Sequence, residues 1–256
     1  MAPVDLSKFT APLYLFGKAP DGTVQPRRFC GSSFIFTGGL LVTCWHCIED
    51  YPANEDEWYG VVYGDGRTTA YRAIAVTELS RDPSGVDLAT AHVDVADSPL
   101  TLAHNCDGIA QDVGCFGYPG TVGRLPEGSV TGQMRFLQES RWLEGYVTRA
   151  FLHELPGGGT ARRAWEIDMP CPGGLSGAPV FLRGQFPAPI VVGVVYGINT
   201  VPAESPERGS LLPPNLVFAA AHYLDVVQNL RGDVLASQTL YEYLLGHGRI
   251  SVMIST

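Results

Sequence analysis

Short apolar segments that alternate with polar residues and stop at Gly, Pro, Asn or Asp run through most of the chain. Before Pro99 they are RRFCGSSFIFTGGLLVTC, EWYGVVYG, TTAYRAIAVTEL and VDLATAHVDV, rich in the β-branched and aromatic residues that suit a pleated, half-buried surface. After Pro99 the texture resumes in GIAQDVGCFGYPG, GSVTGQMRFL, EGYVTRAFLHEL, AWEIDMP, APVFLRG and APIVVGVVYGI. The turn spacing predicts an all-β chain with two successive sets of roughly six strands. One segment differs. From Pro214 to Gly232, Val217, Ala220, Ala221, Leu224, Val227 and Leu230 recur at helical spacing, which predicts a helix with His222 in its middle. LYEYLLGHG, in the tail, is a candidate second short helix.

Composition narrows the picture. With 256 residues, 45% of them hydrophobic, the chain can bury a sizeable core in one large domain or two small ones that share an interior. The 30 Gly and 19 Pro supply the turns that short strands need. No repeat or long linker divides the sequence. The net charge of -9 is spread without a basic run, so neither nucleic acid nor a membrane surface is an expected partner. The opening stretch MAPVDLSKFTAPLYLFGKAP lacks an apolar run of signal-peptide or membrane-span length; the expected location is the cytoplasm, with a removed leader left open. Six cysteines are too few for a disulfide-stapled scaffold of this size.

Candidate chemistry centres on CPGGLSGAPV, where small residues surround one hydroxyl, Ser176. A serine hydroxyl is a poor nucleophile unless a base takes its proton, so a functional Ser176 needs a histidine, and usually a carboxylate to hold that histidine in one tautomer. Of the six histidines, His46 stands where an apolar strand ends in a turn (LLVTCWHCIED), so its side chain projects from a rigid edge. His92, His104, His153, His222 and His247 lack that setting.

Three segments resemble the trypsin-like (chymotrypsin-fold) serine proteases. GSSFIFTGGLLVTCWHC is similar to the family's histidine segment, SGVDLATAHVD to its aspartate segment and PCPGGLSGAPV to its serine segment, in the family's order. VVGVVYGINT resembles the HtrA/DegP-like branch, although no PDZ-like region follows in this sequence. The resemblance covers roughly residues 10 to 230 and implies two six-stranded antiparallel β-barrels followed by a C-terminal helix. It places the first barrel at 10–100, the second at 101–213, and a helix and tail at 214–256, all within one peptidase domain. It further implies a serine endopeptidase with His46, Asp87 and Ser176 as its triad and no metal or organic cofactor. The oxyanion donors would be the N–H groups of Gly174 and Ser176, with Gly173 and Gly174 permitting the sharp approach.

Departures from the family pattern shape further expectations. Leu175 stands where the zymogen-activated branch has an aspartate, so activation by a newly cut N-terminus is not expected. Trp45 replaces a small residue beside His46. Cys30 and Cys47 occupy positions resembling a bridged pair of secreted members and are either that bridge or two reduced thiols. Pro170 lies where trypsin itself has its pocket aspartate, so cleavage after Lys or Arg is not supported. Pro170, Cys171, Gly173, Val195, Tyr196 and Gly197 are the candidate substrate-binding residues and favour an apolar or small side chain, while Glu204 and Glu207 lie in a loop that could reach in. The expected partner is a protein or peptide substrate. Quality control and cleavage of one dedicated partner protein, with or without a regulatory partner, both fit.

Three rival readings fit parts of the sequence. A relaxed nucleophile elbow around Ser176 would suit an α/β-hydrolase, with Asp225 and His247 downstream. Cys44, His46 and Cys47, with Cys106 and Cys115, could form a zinc site. The third is a trypsin-fold binding or scaffold protein that is catalytically silent.

Overall fold

The computed structural model describes residues 4–49, 56–64, 71–106, 108–119, 122–124, 135–137, 139–153, 162–184, 188–200 and 217–252. The part of GSVTGQMRFL before Arg135, and Glu204 and Glu207, lie outside them.

The first barrel closes from β1 (Thr10–Lys18), β2 (Val24–Ile35), β3 (Leu40–Thr43), β4 (Glu57–Gly64), β5 (Tyr71–Arg81) and β6 (Ala89–Val93), in the order β1-β2-β3-β6-β5-β4. All its pairings are antiparallel, as short connections between successive strands allow. Leu13, Phe34, Leu41, Val61 and Ala91 fill it, none more than 1% exposed. Burying each larger side chain contributes about 1.5–3 kcal/mol. Closure leaves no bare strand edge.

The second half runs through β7 (Thr101–Ala103), β8 (Asp112–Gly117), β9 (Val122–Arg124), β10 (Arg135–Leu137), β11 (Arg141–His153), β12 (Arg162–Ile167), β13 (Pro179–Leu182), β14 (Ile190–Thr200) and β15 (Val217–His222). Six of these form a barrel in the order β13-β8-β11-β12-β15-β14, closed by the β13–β14 pairing. Outside it, β7 pairs in parallel with β14, and β16 (Ile250–Ser251) pairs in parallel with β7. The strands β9 and β10 make a separate hairpin-like pair. Buried residues of both barrels, from Leu13 and Phe34 to Trp165 and Val180, belong to one continuous apolar cluster.

The expected helix over Pro214–Gly232 is corrected. Val217–His222 is the sixth strand of the second barrel, and the helix that follows, α1, is only Leu224–Gln228. That barrel therefore runs on to His222 and does not end at residue 213. Alanine is the best intrinsic helix former, so AAAH within an apolar periodicity reads as helix. The barrel overrides that preference: Ala221 pairs with Trp165 on one side and Val195 on the other, so ladder hydrogen bonds engage both edges. Small side chains suit a strand flanked this closely. A second helix, α2 (Leu240–Gly246), coincides with LYEYLLGHG. Thr239 and Glu242 cap it reciprocally, Thr239 N–H donating to Glu242 Oε2 and Glu242 N–H to Thr239 Oγ1. No helix among the described residues is long and apolar enough to cross a membrane.

The C-terminal segment crosses back to the first barrel. The N–H of Arg231 donates to Asp82 Oδ2 at 2.9 Å, the N–H of Asp233 to Ser80 Oγ at 2.9 Å, and Arg249 pairs with Asp97 at 2.7 Å. The first bond grips the turn between β5 and β6, which carries Asp87, and the second grips the end of β5 that leads into it.

Candidate active site

All four residues of β3 are buried, and the chain then enters a single 3-10 turn, Trp45–Cys47. Cys44 and Cys47 face the core on either side, so His46 between them points outward, its side chain 38% exposed. Trp45 is tied back by the Arg81 guanidinium, 5.4 Å from its ring centroid. Asp87 is placed by the same logic: Val86 and Leu88 are buried, and the residue between them is turned out.

The two meet. Asp87 Oδ1 accepts from the His46 backbone N–H at 2.9 Å, and Oδ2 lies 2.6 Å from Nδ1. An ionised carboxylate only accepts, so Nδ1 carries a proton, and in the neutral ring the lone pair is on Nε2. The hydrogen bond to Asp87 above all, with a smaller contribution from the neighbouring Cys47, holds the His46 pKa above the ordinary histidine value, while partial burial opposes the shift. Behind Asp87 lies His222, 1% exposed, whose Nε2–H donates to the Asp87 main-chain carbonyl at 3.3 Å. Its ring packs 4.5 Å from that of Tyr196. The sequence reading missed this contact because it placed His222 in a helix.

Ser176 sits in the turn between β12 and β13. Leu175, buried at 0% exposure, anchors the turn beneath it, which suits an apolar residue and no ion pair at that position. Gly174 and Gly177 hold φ of +98° and +84°, conformations that glycine adopts without strain. At Gly177 the packing is equally demanding, since a Cβ there would lie 2.1 Å from the Ser32 carbonyl oxygen and 2.4 Å from Thr43 Oγ1. Gly177→Ala is accordingly expected to cost about 3 kcal/mol from backbone strain and overpacking, measured by chemical denaturation.

The turn docks on the histidine segment. The Ser176 carbonyl accepts the Ser32 N–H at 2.8 Å and the Cys47 thiol at 3.7 Å, and Gly177 N–H donates to the Val195 carbonyl at 2.8 Å. The Ala178 N–H donates to the Leu175 carbonyl at 2.8 Å. In a trans peptide the C=O and N–H point oppositely, so this bond aims the Ser176 N–H away from the β13 side. Among the described residues neither the Gly174 nor the Ser176 N–H has an acceptor within the chain. The Ser176 hydroxyl donates to the Tyr196 carbonyl at 3.5 Å, and no hydrogen bond joins it to His46.

The substrate-side candidates separate. The Cys171 thiol donates to the Gly197 carbonyl at 3.3 Å, which brings those two together; burial raises the thiol's pKa to about 11, so it stays protonated. Gly197 has open space where a Cβ would stand, Tyr196 is partly buried, and Gly173 and Pro170 are exposed. Val195 is corrected as a wall residue: its side chain is 0% exposed within the core, and its carbonyl instead anchors Gly177 and the Cys44 thiol. Concavities of about 520 and 500 Å³ lie elsewhere, one beside Trp142 and Phe181, the other beside Arg162 and Asp225.

Cys30 and Cys47 are free thiols. The zinc reading does not assemble as expected. Cys44, His46 and Asp87 bring donor atoms within 4.8 Å of one another, and among the described residues Cys47, Cys106 and Cys115 do not join them. The Cys44 thiol bonds Val195, and both Asp87 oxygens are engaged by His46. The α/β-hydrolase reading falls with the two-barrel fold, since β13, a strand, follows Ser176 where that motif needs a helix.

The match to a family model for a trypsin-like peptidase domain spans residues 31–187. No curated protein matches. Among solved structures, the active form of the Rv3671c protease from M. tuberculosis is similar at 17% identity over 97% of this chain and 85% of that one, with a TM-score of 0.51. The MamO protease domain from Magnetospirillum magneticum is similar at 14% identity over 87% and 95%, TM-score 0.51. Deg5 is similar at 15% identity over 96% and 92%, TM-score 0.51. With the family match covering more than half of the chain, and two six-stranded barrels beneath it, this protein belongs to the trypsin-like peptidases.

Proposed function

We propose that this peptidase is a serine endopeptidase in which Ser176 is the nucleophile, His46 the base and Asp87 its orienting carboxylate. The observation that carries the reading is the two-point grip of Asp87 on His46, at 2.9 and 2.6 Å, which makes Nε2 the basic nitrogen once the ring is neutral. The hydroxyl rests on the Tyr196 carbonyl, and a change of χ1 by about 120°, to another staggered rotamer, releases it to seek that base. Catalytic hydrogen bonds commonly tighten only once substrate is bound.

Ser176 Oγ then attacks the scissile carbonyl while His46 takes its proton. The Ser176 and Gly174 N–H groups receive the oxyanion, and His46 returns the proton to the leaving amine. Water repeats the sequence on the acyl-enzyme. Cys171 and the bare Gly197 favour a small or apolar side chain on the acyl side of the cut bond, where no carboxylate at position 170 attracts Lys or Arg. The test is to map new protein termini generated by wild type and by Ser176→Ala. Cleavages present only with wild type, after small or apolar residues, support the reading; identical termini overturn it.

The pH dependence follows from the raised His46 pKa. Only the neutral imidazole accepts the serine proton, and a raised pKa keeps the ring protonated to higher pH. The acidic limb of kcat/KM is therefore expected to have its midpoint above 6.5, the ordinary histidine value, and initial rates across pH check it.

One observation favours a second reading. The Ser176 hydroxyl bonds Tyr196 and not His46, as it would in a silent trypsin-fold binding module. Such a module would show no covalent labelling of Ser176 by a fluorophosphonate.

A further inference from the structure

Ser32 lies on β2, in the first barrel, and is fully buried. Its N–H donates to the Ser176 carbonyl at 2.8 Å, and its hydroxyl donates to the Gly174 carbonyl at 2.8 Å. The same oxygen accepts the Tyr118 N–H at 3.0 Å. A hydroxyl has one proton, and with Tyr118 occupying an acceptor lobe that proton is directed at Gly174. We propose that Ser32 is a positioning residue that sets the oxyanion geometry of the serine turn, an inference that rests on the serine-peptidase reading above.

The peptide planes make the case. The carbonyls of Gly174, Leu175 and Ser176 are held in succession by Ser32 Oγ, Ala178 N–H and Ser32 N–H. With the Cys47 thiol on the Ser176 carbonyl as a fourth hold, two of the four come from this one residue, in the barrel opposite the turn. Gly174 is where a hold matters most. Glycine occupies many more φ/ψ states than other residues, so its +98° φ is not enforced by its own sterics and needs an external pin. Of the bonds that pin the Gly174 carbonyl, the Ser32 hydroxyl is the one present among the described residues. The Gly174 carbonyl shares its peptide plane with the Leu175 N–H, and the Gly174 N–H lies in the preceding plane, joined to it only through the φ and ψ of Gly174. Without the pin the two planes are free to turn about the glycine, and the Gly174 N–H, one of the two oxyanion donors in the proposed mechanism, loses its fixed direction. The Ser176 N–H stays oriented through Leu175 and Ala178.

The experiment compares Ser32→Ala, Ser32→Cys and Ser32→Thr with Ser33→Ala. Ser33 is an equally buried neighbour whose hydroxyl donates to the Ala11 carbonyl at 3.0 Å, away from the serine turn. Steady-state kinetics, the rate at which a fluorophosphonate labels Ser176, and thermal midpoints are measured for each. A misplaced donor costs about a hundredfold, so Ser32→Ala is expected to lose about that in kcat and in labelling rate with KM within about twofold. Ser32→Thr, which keeps the hydroxyl, is expected to recover most of the loss. Ser32→Cys, nearly isosteric with a weaker donor, is expected to lose about tenfold and serves if the alanine variant does not fold. Ser33→Ala is expected to lower the thermal midpoint and leave kcat unchanged. Wild-type kcat and labelling in Ser32→Ala or Ser32→Cys, or an equal kcat loss in Ser33→Ala, overturns the inference alone. Failure of the wild type itself to label at Ser176 removes the serine-peptidase reading, and this inference with it.

Discussion

His46→Ala is expected to lower kcat for peptide hydrolysis by about 10⁶-fold, the scale reached when the base of such a unit is lost. In the proposed mechanism the imidazole is the group that takes the Ser176 proton, its other nitrogen being committed to Asp87 at 2.6 Å. Without it the hydroxyl must attack while still protonated. The fold should not suffer in proportion. The His46 side chain is 38% exposed, so alanine leaves no cavity in the core, and the main-chain bond from residue 46 to Asp87 Oδ1 remains available. Burst-free steady-state rates, read beside a thermal midpoint that stays within a few degrees of wild type, separate lost chemistry from lost structure.

Asp87→Asn should be nearly as severe, about 10⁴-fold in kcat at neutral pH. Asparagine keeps a carbonyl oxygen that can still accept the His46 N–H, so the loop between β5 and β6 should hold its place. Its amide, however, offers N–H to Nδ1 where the carboxylate offered a lone pair. The imidazole then takes the other tautomer, with Nδ1 accepting and Nε2 protonated, and so presents a donor where the nucleophile needs a base. The variant also loses the charge that stabilises the imidazolium, so its acidic limb should fall below that of wild type. A kcat near wild type for Asp87→Asn would show that the 2.6 Å contact is structural only.

Much of this was legible in the chain before any fold was known, for identifiable reasons. The alternating segments carried both barrels because closed antiparallel strands bury one face and solvate the other. The apolar run to Thr43 located His46, since a strand buried along its whole length must end where a polar side chain can emerge. Asp87 was legible only through the resemblance of SGVDLATAHVD to the family's aspartate segment, and the burial of Val86 and Leu88 on either side shows why its side chain turns out. What stayed hidden depended on contacts between distant segments. The strand Val217–His222 read as helix because alanine's local preference opposes its barrel setting, and with it went the link from His222 to Asp87, 135 residues away. Val195 read as a cleft wall, while the register with Ala178 and Gly177 turns its side chain into the core. Ser32 stood in plain sight within GSSFIF, yet its partner Gly174 is 142 residues distant, and no local pattern announces such a bond.

The most direct test of the central claim, that Asp87 and His46 make Ser176 a nucleophile, is peptide mapping by mass spectrometry after treatment with a fluorophosphonate. The account predicts a single adduct on Ser176 in the wild type, forming faster as pH rises through the His46 titration and lost in His46→Ala. An adduct that forms equally in His46→Ala, or peptide hydrolysis by a wild type in which Ser176 remains unmodified after full inactivation, would contradict it.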